Sequence, residues 1–312
     1  MSVSGTGEFS LIDRVTARLT GGPTCLLGPG DDAAVVRSPD GRVTASTDVL
    51  VEGRHFRRDW SAAGDIGHRA AAANLADIAA MGAVPTALLV ALCIPPDVTV
   101  DWVEEFTDGL AGEAALVGAS VVGGDMSASP TLTIAVTALG DLGGRPPVVR
   151  SGARVGDVVA LAGRIGYAAA GYTVLSRGFR TPKLLVEAFR RPEVPYPAGP
   201  HAARLGATSM IDVSDGLIAD LGHVATASGV GIDLHRDAFE VPRQMRDAAQ
   251  ALGVDPYTWI LGGGDDHALA ATFPRAVALP ANWRPVGRVV EGRGVTVDGR
   301  PFDGPAGWDH FR

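Results

Sequence analysis

The chain has 312 residues, of which 46% are hydrophobic and 20% charged. That length suits two domains, and that composition supports packed cores and excludes an intrinsically disordered protein. A formal net charge of −8 excludes a general nucleic-acid-binding surface and would repel a phosphate ligand unless cations intervene.

Residues 9–19 read as a short helix, with Phe9, Ile12, Val15 and Leu19 near helical spacing. The turn Gly28-Pro29-Gly30-Asp31-Asp32-Ala33 follows. Glycine lets the backbone approach a ligand closely, and proline stiffens the turn. The two adjacent carboxylates repel each other unless water or a cation intervenes. Residues 33–37 and 42–49 read as strands, and the turn signal Pro39-Asp40-Gly41 predicts that they pair as a hairpin. Thr47 and Asp48 would then lie beside the first acid turn. Asp65 is a cap candidate for a helix that runs to Met81, with Gly82 as its stop. The alanine-rich middle of that helix predicts close packing around Asn74 and Asp77, which are three apart and share a face. A buried carboxylate needs a partner. For Asp77 a metal ion and a backbone hydrogen bond are both open.

Residues 86–94 read as a buried strand, with Cys93 in the core. Residues 100–116 read as a helix with acids on its outer face, 120–123 as a strand ending at Gly124-Asp125, and 132–139 as another strand. The best linker is Gly143-Gly144-Arg145-Pro146-Pro147, which places a boundary near residues 143–150. The α/β pattern then restarts with a strand at 157–161, a helix at 168–175 and a proline-rich crossing at 192–200. A strand at 209–213 runs into Ser214-Asp215-Gly216 and a helix at 217–227. Strands at 231–234, 268–273, 288–290 and 294–297 complete the chain. A lone aspartate at position 215 would ordinarily be a helix N-cap.

Acids on turns recur at Asp31-Asp32, Ser46-Thr47-Asp48, Asn74-Leu75-Ala76-Asp77, Gly123-Gly124-Asp125, Asp212-Val213-Ser214-Asp215-Gly216 and Gly262-Gly263-Gly264-Asp265-Asp266. Carboxylate and hydroxyl oxygens suit hard cations such as Mg²⁺, and the His/Cys sets that zinc prefers are missing. Several Mg²⁺ ions would reverse the local charge, hold a triphosphate and neutralise a transferring phosphoryl group. Lys183 is the only lysine, and it stands in Thr-Pro-Lys-Leu-Leu. A P-loop lysine and a protein-kinase lysine strand are therefore both excluded. Metals and arginines would supply the positive charge. Arg150, just past the linker, could reach phosphate oxygens as a fork or serve as a plain surface charge. Cys25 and Cys93 stand in no C-x-x-C spacing, which fits a reducing compartment. No apolar run approaches the roughly 20 residues a membrane span needs, and residues 1–24 lack a signal-peptide pattern. A cytoplasmic protein with neither membrane nor nucleic-acid partner is expected.

In this order, the motifs resemble the thiamine-monophosphate kinase family. The resemblance rests on Gly7-Glu8-Phe9-Ser10-Leu11-Ile12, Gly30-Asp31-Asp32-Ala33, Ser46-Thr47-Asp48-Val49-Leu50, Gly53-Arg54-His55-Phe56 and the run from Asn74 to Ala83. It continues through Gly123-Gly124-Asp125, Arg150-Ser151-Gly152-Ala153, Asp212-Val213-Ser214-Asp215-Gly216-Leu217, Gly263-Gly264-Asp265-Asp266 and Gly307-Trp308-Asp309-His310-Phe311. It implies an α/β (α+β) protein with the two-domain fold of aminoimidazole ribonucleotide synthetase, each half a mixed sheet packed with helices. Residues 1–146 would form an ATP/Mg-binding and dimerisation domain, and residues 147–312 a domain completing the phosphate and substrate site. It implies transfer of the γ-phosphoryl of ATP to thiamine monophosphate, with several Mg²⁺ ions and K⁺ as a further candidate cation, in a homodimer formed through the N-terminal domains. By position, metal ligands fall on Asp32, Ser46, Thr47, Asp48, Asp77, Asp125, Asp212 and Asp215. Nucleotide contacts fall on Gly124, Asp125, Arg150 and Ser214, and substrate contacts on His55, Asp265 and Trp308. Where the family commonly reads Gly-Gly-Glu-Asp-Tyr, this chain has Gly263-Gly264-Asp265-Asp266-His267, so Asp265 is one methylene shorter and His267 replaces a phenol. Trp308 offers a flat face for a cationic ring, with a core tryptophan as the alternative. The other readings are an aminoimidazole ribonucleotide synthetase, selenophosphate synthetase or hydrogenase-maturation dehydratase, a noncatalytic metal- or nucleotide-binding module, and a metal-dependent phosphohydrolase.

Overall fold

A strand of eight residues, β3 (Thr44–Val51), sets the frame of the first half, in a computed structural model that describes residues 8–29 and 33–308. It is preceded by helix α1 (Glu8–Thr16) and the short strands β1 (Cys25–Leu27) and β2 (Val35–Val36). After it come α2 (Ala63–Ala80), β4 (Val84–Ile94), α3 (Val100–Ala115), β5 (Ser120–Ala128) and β6 (Thr133–Asp141). The main sheet has the order β3-β6-β4-β5, antiparallel except for the parallel pair β4–β5. Apolar residues alternate along β6, and its inward set Ile134, Val136 and Ala138 is fully buried. Burying each of the larger ones stabilises the fold by about 1.5–3 kcal/mol. The opposite face stays half open, with Val49 49% and Leu89 38% exposed.

The expected hairpin does not form. The turn at Pro39-Asp40-Gly41 is real, since Gly41 N–H donates to the Ser38 carbonyl. Yet β3 pairs with β6 along all eight of its residues, and Val35 and Val36 pair instead with Leu27 and Cys25. Two residues are too short a strand to compete with the β6 register. Asp65 is not the N-cap of α2 either. It sits in the first turn and accepts the Ala62 N–H, which is the return half of a capping box. On α3, Thr99 is the cap, accepting from Trp102 N–H. The acids of α3 are not all outward, because Glu113 is buried with Oε2 2.7 Å from His68 Nδ1. Glu104 and Asp108 do face out, where they pair with Arg18. Cys93 is only partly buried.

By internal contacts the chain falls into two units, residues 1–78 with 83–144 and residues 145–312 with 79–82. The second contains a single-turn 3₁₀ segment at Arg150–Gly152 and the elements β7 (Val158–Ala162), α4 (Tyr167–Ser176), α5 (Lys183–Arg190), α6 (Ala198–Leu205), β8 (Ser209–Val213), α7 (Leu217–Ser228) and β9 (Gly231–Leu234). These are followed by α8 (Arg243–Leu252), α9 (Pro256–Gly262), β10 (Ala268–Phe273), β11 (Arg284–Val290) and β12 (Gly294–Val297). Its sheet runs β12-β9-β11-β7-β10-β8, antiparallel except for β12–β9. Strands β8 and β10 are buried along their whole length, so both of their faces are covered. Each half is thus a mixed sheet packed with helices, an α+β fold. Both α5 and α6 occupy ground that the sequence reading left without helices. Leu185, Val186 and Phe189 give α5 a buried stripe, and Pro200 is tolerated in the first turn of α6.

Candidate functional site

In the first unit, the pleat of β3 sorts the motif Ser46-Thr47-Asp48 onto two faces. Ser46 and Asp48 face α2. Ser46 Oγ donates to Asp77 Oδ2 at 2.6 Å, and Asp48 N–H donates to Asn74 Oδ1 at 3.0 Å. Asn74 is fully buried, and its amide also donates to the Ala70 carbonyl. It therefore locks the strand to the helix and places Asp77 opposite Ser46. Asp77 has a hydroxyl for a partner, where the sequence left a metal or a backbone group open. Thr47 faces the other way, donating to the Val136 carbonyl and accepting from Thr137. Asp125 is exposed. It pairs across the sheet with Ala91, Ala91 with Ala135, and Ala135 with Val49, so it shares the face of Thr47.

A cavity of about 900 Å³ lies beside Asp125. It is bounded by Ile12 of α1, by Gly28 and Pro29, by Gly123 and Gly124, and by Thr137. At Gly124 a Cβ would lie 2.1 Å from the Val90 carbonyl oxygen, so only glycine fits. His55 closes the turn after β3, its Nδ1 accepting from Val51 N–H at 2.9 Å. A neutral ring in that role carries its proton on Nε2. Asp31 and Asp32 lie outside the described residues.

In the second unit, three motif segments meet at the end of β8. Asp265 N–H donates to the Ser214 carbonyl at 2.8 Å, and His267 N–H to that of Val213 at 3.0 Å. Trp308 N–H donates to the Asp215 carbonyl at 2.9 Å, and Ala219 N–H to that of Ala306. The segments approach so closely that side chains are excluded at their crossings. A Cβ on Gly264 would lie 2.0 Å from the Ser214 oxygen, and one on Gly262 1.9 Å from that of Pro305. Asp212 is buried with Oδ2 3.2 Å from His267 Nδ1. A carboxylate only accepts, so that ring nitrogen holds the proton. Trp308 is 50% exposed and is no core residue. Asp212, Ser214, Asp215, Asp265 and Trp308 thus stand on converging segments. Arg150 does not join them. It is exposed, and its carbonyl accepts from Ser228 at the far end of α7. The 12 residues of α7 span roughly 18 Å.

Two carboxyls of the site have no role in the sequence reading, Asp220, which it does not name, and Asp266, which it names only as part of a motif. The N-cap position of α7 is Gly216, not Asp215, and Asp220 closes the first turn by accepting N–H groups from Asp215 and Gly216. Burial pushes the Asp220 pKa up to about 7, helped by the neighbouring charges of Asp212 and Asp215 and opposed by those backbone bonds. Asp266 is buried between Asp265 and His267 and accepts from Gly166 N–H at 2.5 Å and Ala168 N–H at 2.9 Å. Burial pushes its pKa to about 7 as well, against the pull of the same N–H groups. An acid one turn into a helix was the available signal for Asp220, whereas the partners of Asp266 lie about a hundred residues away in sequence.

These carboxyls set a pH dependence. Folded Asp266 keeps its proton to about pH 7, whereas its unperturbed value is 3.8. The folded state therefore binds more protons over that interval, and stability falls as pH rises through it. The stability of wild type relative to Asp266→Asn is expected to decline from about pH 4 to 7 and to level off above, measured by denaturant titration. A constant difference would show that Asp266 is ionised throughout.

The donor set fits a hard cation shared with phosphate. Among the described residues no three His, Cys, Asp or Glu side chains are grouped closely enough to hold a metal alone. Oxygen donors come instead in small sets, such as Ser46 with Asp77. Mg²⁺ is commonly bound in this way, through one or two carboxylates with water and phosphate oxygens completing the octahedron.

Comparison with known proteins places the fold first. The family model of the AIR synthase related protein N-terminal domain matches residues 30–142, and that of the C-terminal domain matches residues 154–299. The chain is thus an AIR-synthase-related, two-domain protein. A thiamine-monophosphate kinase from Mycobacterium tuberculosis is 48% identical over 307 residues, covering 98% of this chain and 92% of the relative. The crystal structure of a thiamine-monophosphate kinase from Stenotrophomonas maltophilia matches with a TM-score of 0.83 at 32% identity, covering 96% and 98% of the two chains. A structure described as AaThiL complexed with AMPPCP and TMP matches with a TM-score of 0.82 at 33% identity, covering 100% and 99%. The chain belongs to the thiamine-monophosphate kinase family of enzymes.

Proposed function

We propose that this enzyme transfers the γ-phosphoryl of ATP to the phosphate of thiamine monophosphate, giving thiamine diphosphate and ADP. The observation that carries the reading is the convergence of Asp212–Asp215, Gly262–His267 and the Trp308 segment, with an exposed indole at its edge. It is supported by relatives that bear this activity in their names and by one that holds AMPPCP and TMP. The acceptor needs no general base, because a phosphate monoester with a second pKa near 6 is already largely a dianion at neutral pH. Its oxygen attacks the γ-phosphorus, and the bond to the ADP oxygen breaks. The protein's task is then to position and to screen charge.

Mg²⁺, when bound, would neutralise the charge on the phosphoryl group in transfer. Asp32, Ser46, Thr47, Asp48, Asp77, Asp125, Asp212 and Asp215 are the residues proposed to hold it. The two faces of the first sheet are a reason to expect more than one ion. Gly124, Asp125 and Ser214 are assigned to the nucleotide, as is Arg150, which would have to reach it from the Ser228 end of α7, away from Ser214; His55, Asp265 and Trp308 are assigned to the acceptor. Residues 1–146 would bind ATP and metal and form a homodimer, for which the half-exposed apolar Val49 and Leu89 offer a contact face. Residues 147–312 would supply the acceptor side.

The test is incubation with ATP, Mg²⁺ and thiamine monophosphate, followed by chromatography. Thiamine diphosphate should form and should vanish with excess chelator. Equal yield in chelator would end the metal-based mechanism, and preference for free thiamine would end the substrate assignment. Trp308→Ala is expected to raise the KM for thiamine monophosphate by about fivefold to tenfold, the worth of one lost ring face. Its KM for ATP should hardly change, and Trp308→Phe should recover much of the loss. A sharp fall in melting temperature with unchanged KM values would instead assign Trp308 to packing.

A further inference from the structure

Asp265 and His267 both lie in the left-handed backbone region, with φ of 67° and 51°. Neither is glycine, and such conformations cost energy that the surroundings must offset. Two of the ties are main-chain bonds to the end of β8 and the residue after it, from His267 N–H to Val213 and from Asp265 N–H to Ser214. A third is different in kind. Asp266, between the two strained residues, sends its carboxylate in the opposite direction and grips the start of α4. One oxygen accepts from Gly166 N–H and the other from Ala168 N–H. Gly166 is the N-cap of α4 and Ala168 stands in its first turn, so neither N–H has a partner inside the helix. The grip is therefore bidentate and directional, and it belongs to a rigid element rather than a loop.

We propose that Asp266 is a positioning residue: its two-oxygen grip on the N-terminus of α4 fixes the left-handed backbone at Asp265 and so aims the Asp265 carboxylate at the phosphorylated acceptor. The inference rests on the acceptor-binding role assigned to Asp265 above. It adds that the precision of that role comes from the neighbouring side chain. It also gives the N–H groups of Gly166 and Ala168 to Asp266 rather than to a phosphate.

Asp266→Asn separates aim from folding. The amide keeps one acceptor oxygen but turns an NH₂ donor toward the second N–H, so one of the two bonds is lost while the volume stays. At pH 8, where the Asp266 carboxylate is ionised, the KM for thiamine monophosphate is expected to rise on the order of tenfold, as small displacements at a reacting centre do, with the KM for ATP essentially unchanged. In an Asp265→Ala background the same substitution should add nothing further, because residues acting as a unit are not additive. Hydrogen exchange supplies an arm independent of activity. The amides of Asp265 and His267 should lose protection in Asp266→Asn, while those of Leu269–Phe273 in β10 keep theirs. An unchanged KM for the acceptor, an additive double variant, or intact protection at residues 265 and 267 would each overturn the proposal. If the wild type makes no thiamine diphosphate, the functional reading falls and the exchange arm alone decides whether Asp266 sets this backbone. Should Asp266→Asn not fold, Asp266→Ser keeps one acceptor oxygen and takes its place in every arm.

Discussion

Asp48→Asn and Asp215→Asn are each expected to lower kcat by about a hundredfold or more, the scale on which a lost electrostatic partner of a transition state is felt. Their melting temperatures should stay close to that of the wild type. The bonds described above that tie these residues into the fold are main-chain bonds. Asp48 donates its N–H to Asn74, and Asp215 donates its N–H to Asp220 and offers its carbonyl to Trp308. An asparagine preserves all of them along with the shape of the side chain. What it removes is charge, so the defect should deepen as Mg²⁺ is lowered. Normal rates with unchanged melting would show that both acids are ordinary turn residues.

Gly264→Ala should have the other large effect, through geometry rather than charge. Its Cβ would fall 2.0 Å from the Ser214 oxygen, so one of the two segments must move. Overpacking of this kind costs about 1–3 kcal/mol of stability. Activity should suffer more, since a displacement near 1 Å can cost about a hundredfold. Gly222→Ala is the matched control. Gly222 lies within α7, a Cβ there meets nothing within 4 Å, and the change should stabilise by about 0.4–1 kcal/mol. Thermal melting and steady-state kinetics on the pair decide the matter. If Gly264→Ala behaves like Gly222→Ala, the close approach does not govern the site.

Much of this was legible in the residues, for local reasons. The apolar run at Ser209–Val213, the glycine after it and the helical spacing from Leu217 specify β8 and α7 almost to the residue, because both are buried elements with clear periods. The stop at Gly82 was equally plain, since only a glycine takes φ of 75° at no cost. Other signals were present and went unread. Pro242 before α8 and the left-handed Gly253 after it frame the buried set Met245, Ala248 and Ala249. Asp255 and Pro256 start α9 in the same manner.

What the residues could not give is pairing at a distance. The turn at Pro39-Asp40-Gly41 exists, but the partner of β3 is β6, some ninety residues on, and no local signal names it. The same limit applied to the site. Motif order does not say which acids share a face. The sheet register puts Asp125 and Thr47 on one face and Ser46 and Asp48, with Asp77 of α2 against them, on the other. Side-chain direction depends on register, and a one-residue slip would have reversed it. The role of Asp266 was hidden for the same reason, its partners being on α4.

The measurement that meets the central claim most directly follows the phosphorus itself. ATP carrying ¹⁸O in its γ-phosphoryl group is incubated with the protein, Mg²⁺ and thiamine monophosphate, and the products are read by ³¹P NMR. Direct transfer predicts labelled oxygen on the terminal phosphorus of thiamine diphosphate, with ADP formed in equal amount. Label in inorganic phosphate without thiamine diphosphate, or release of AMP, would contradict it.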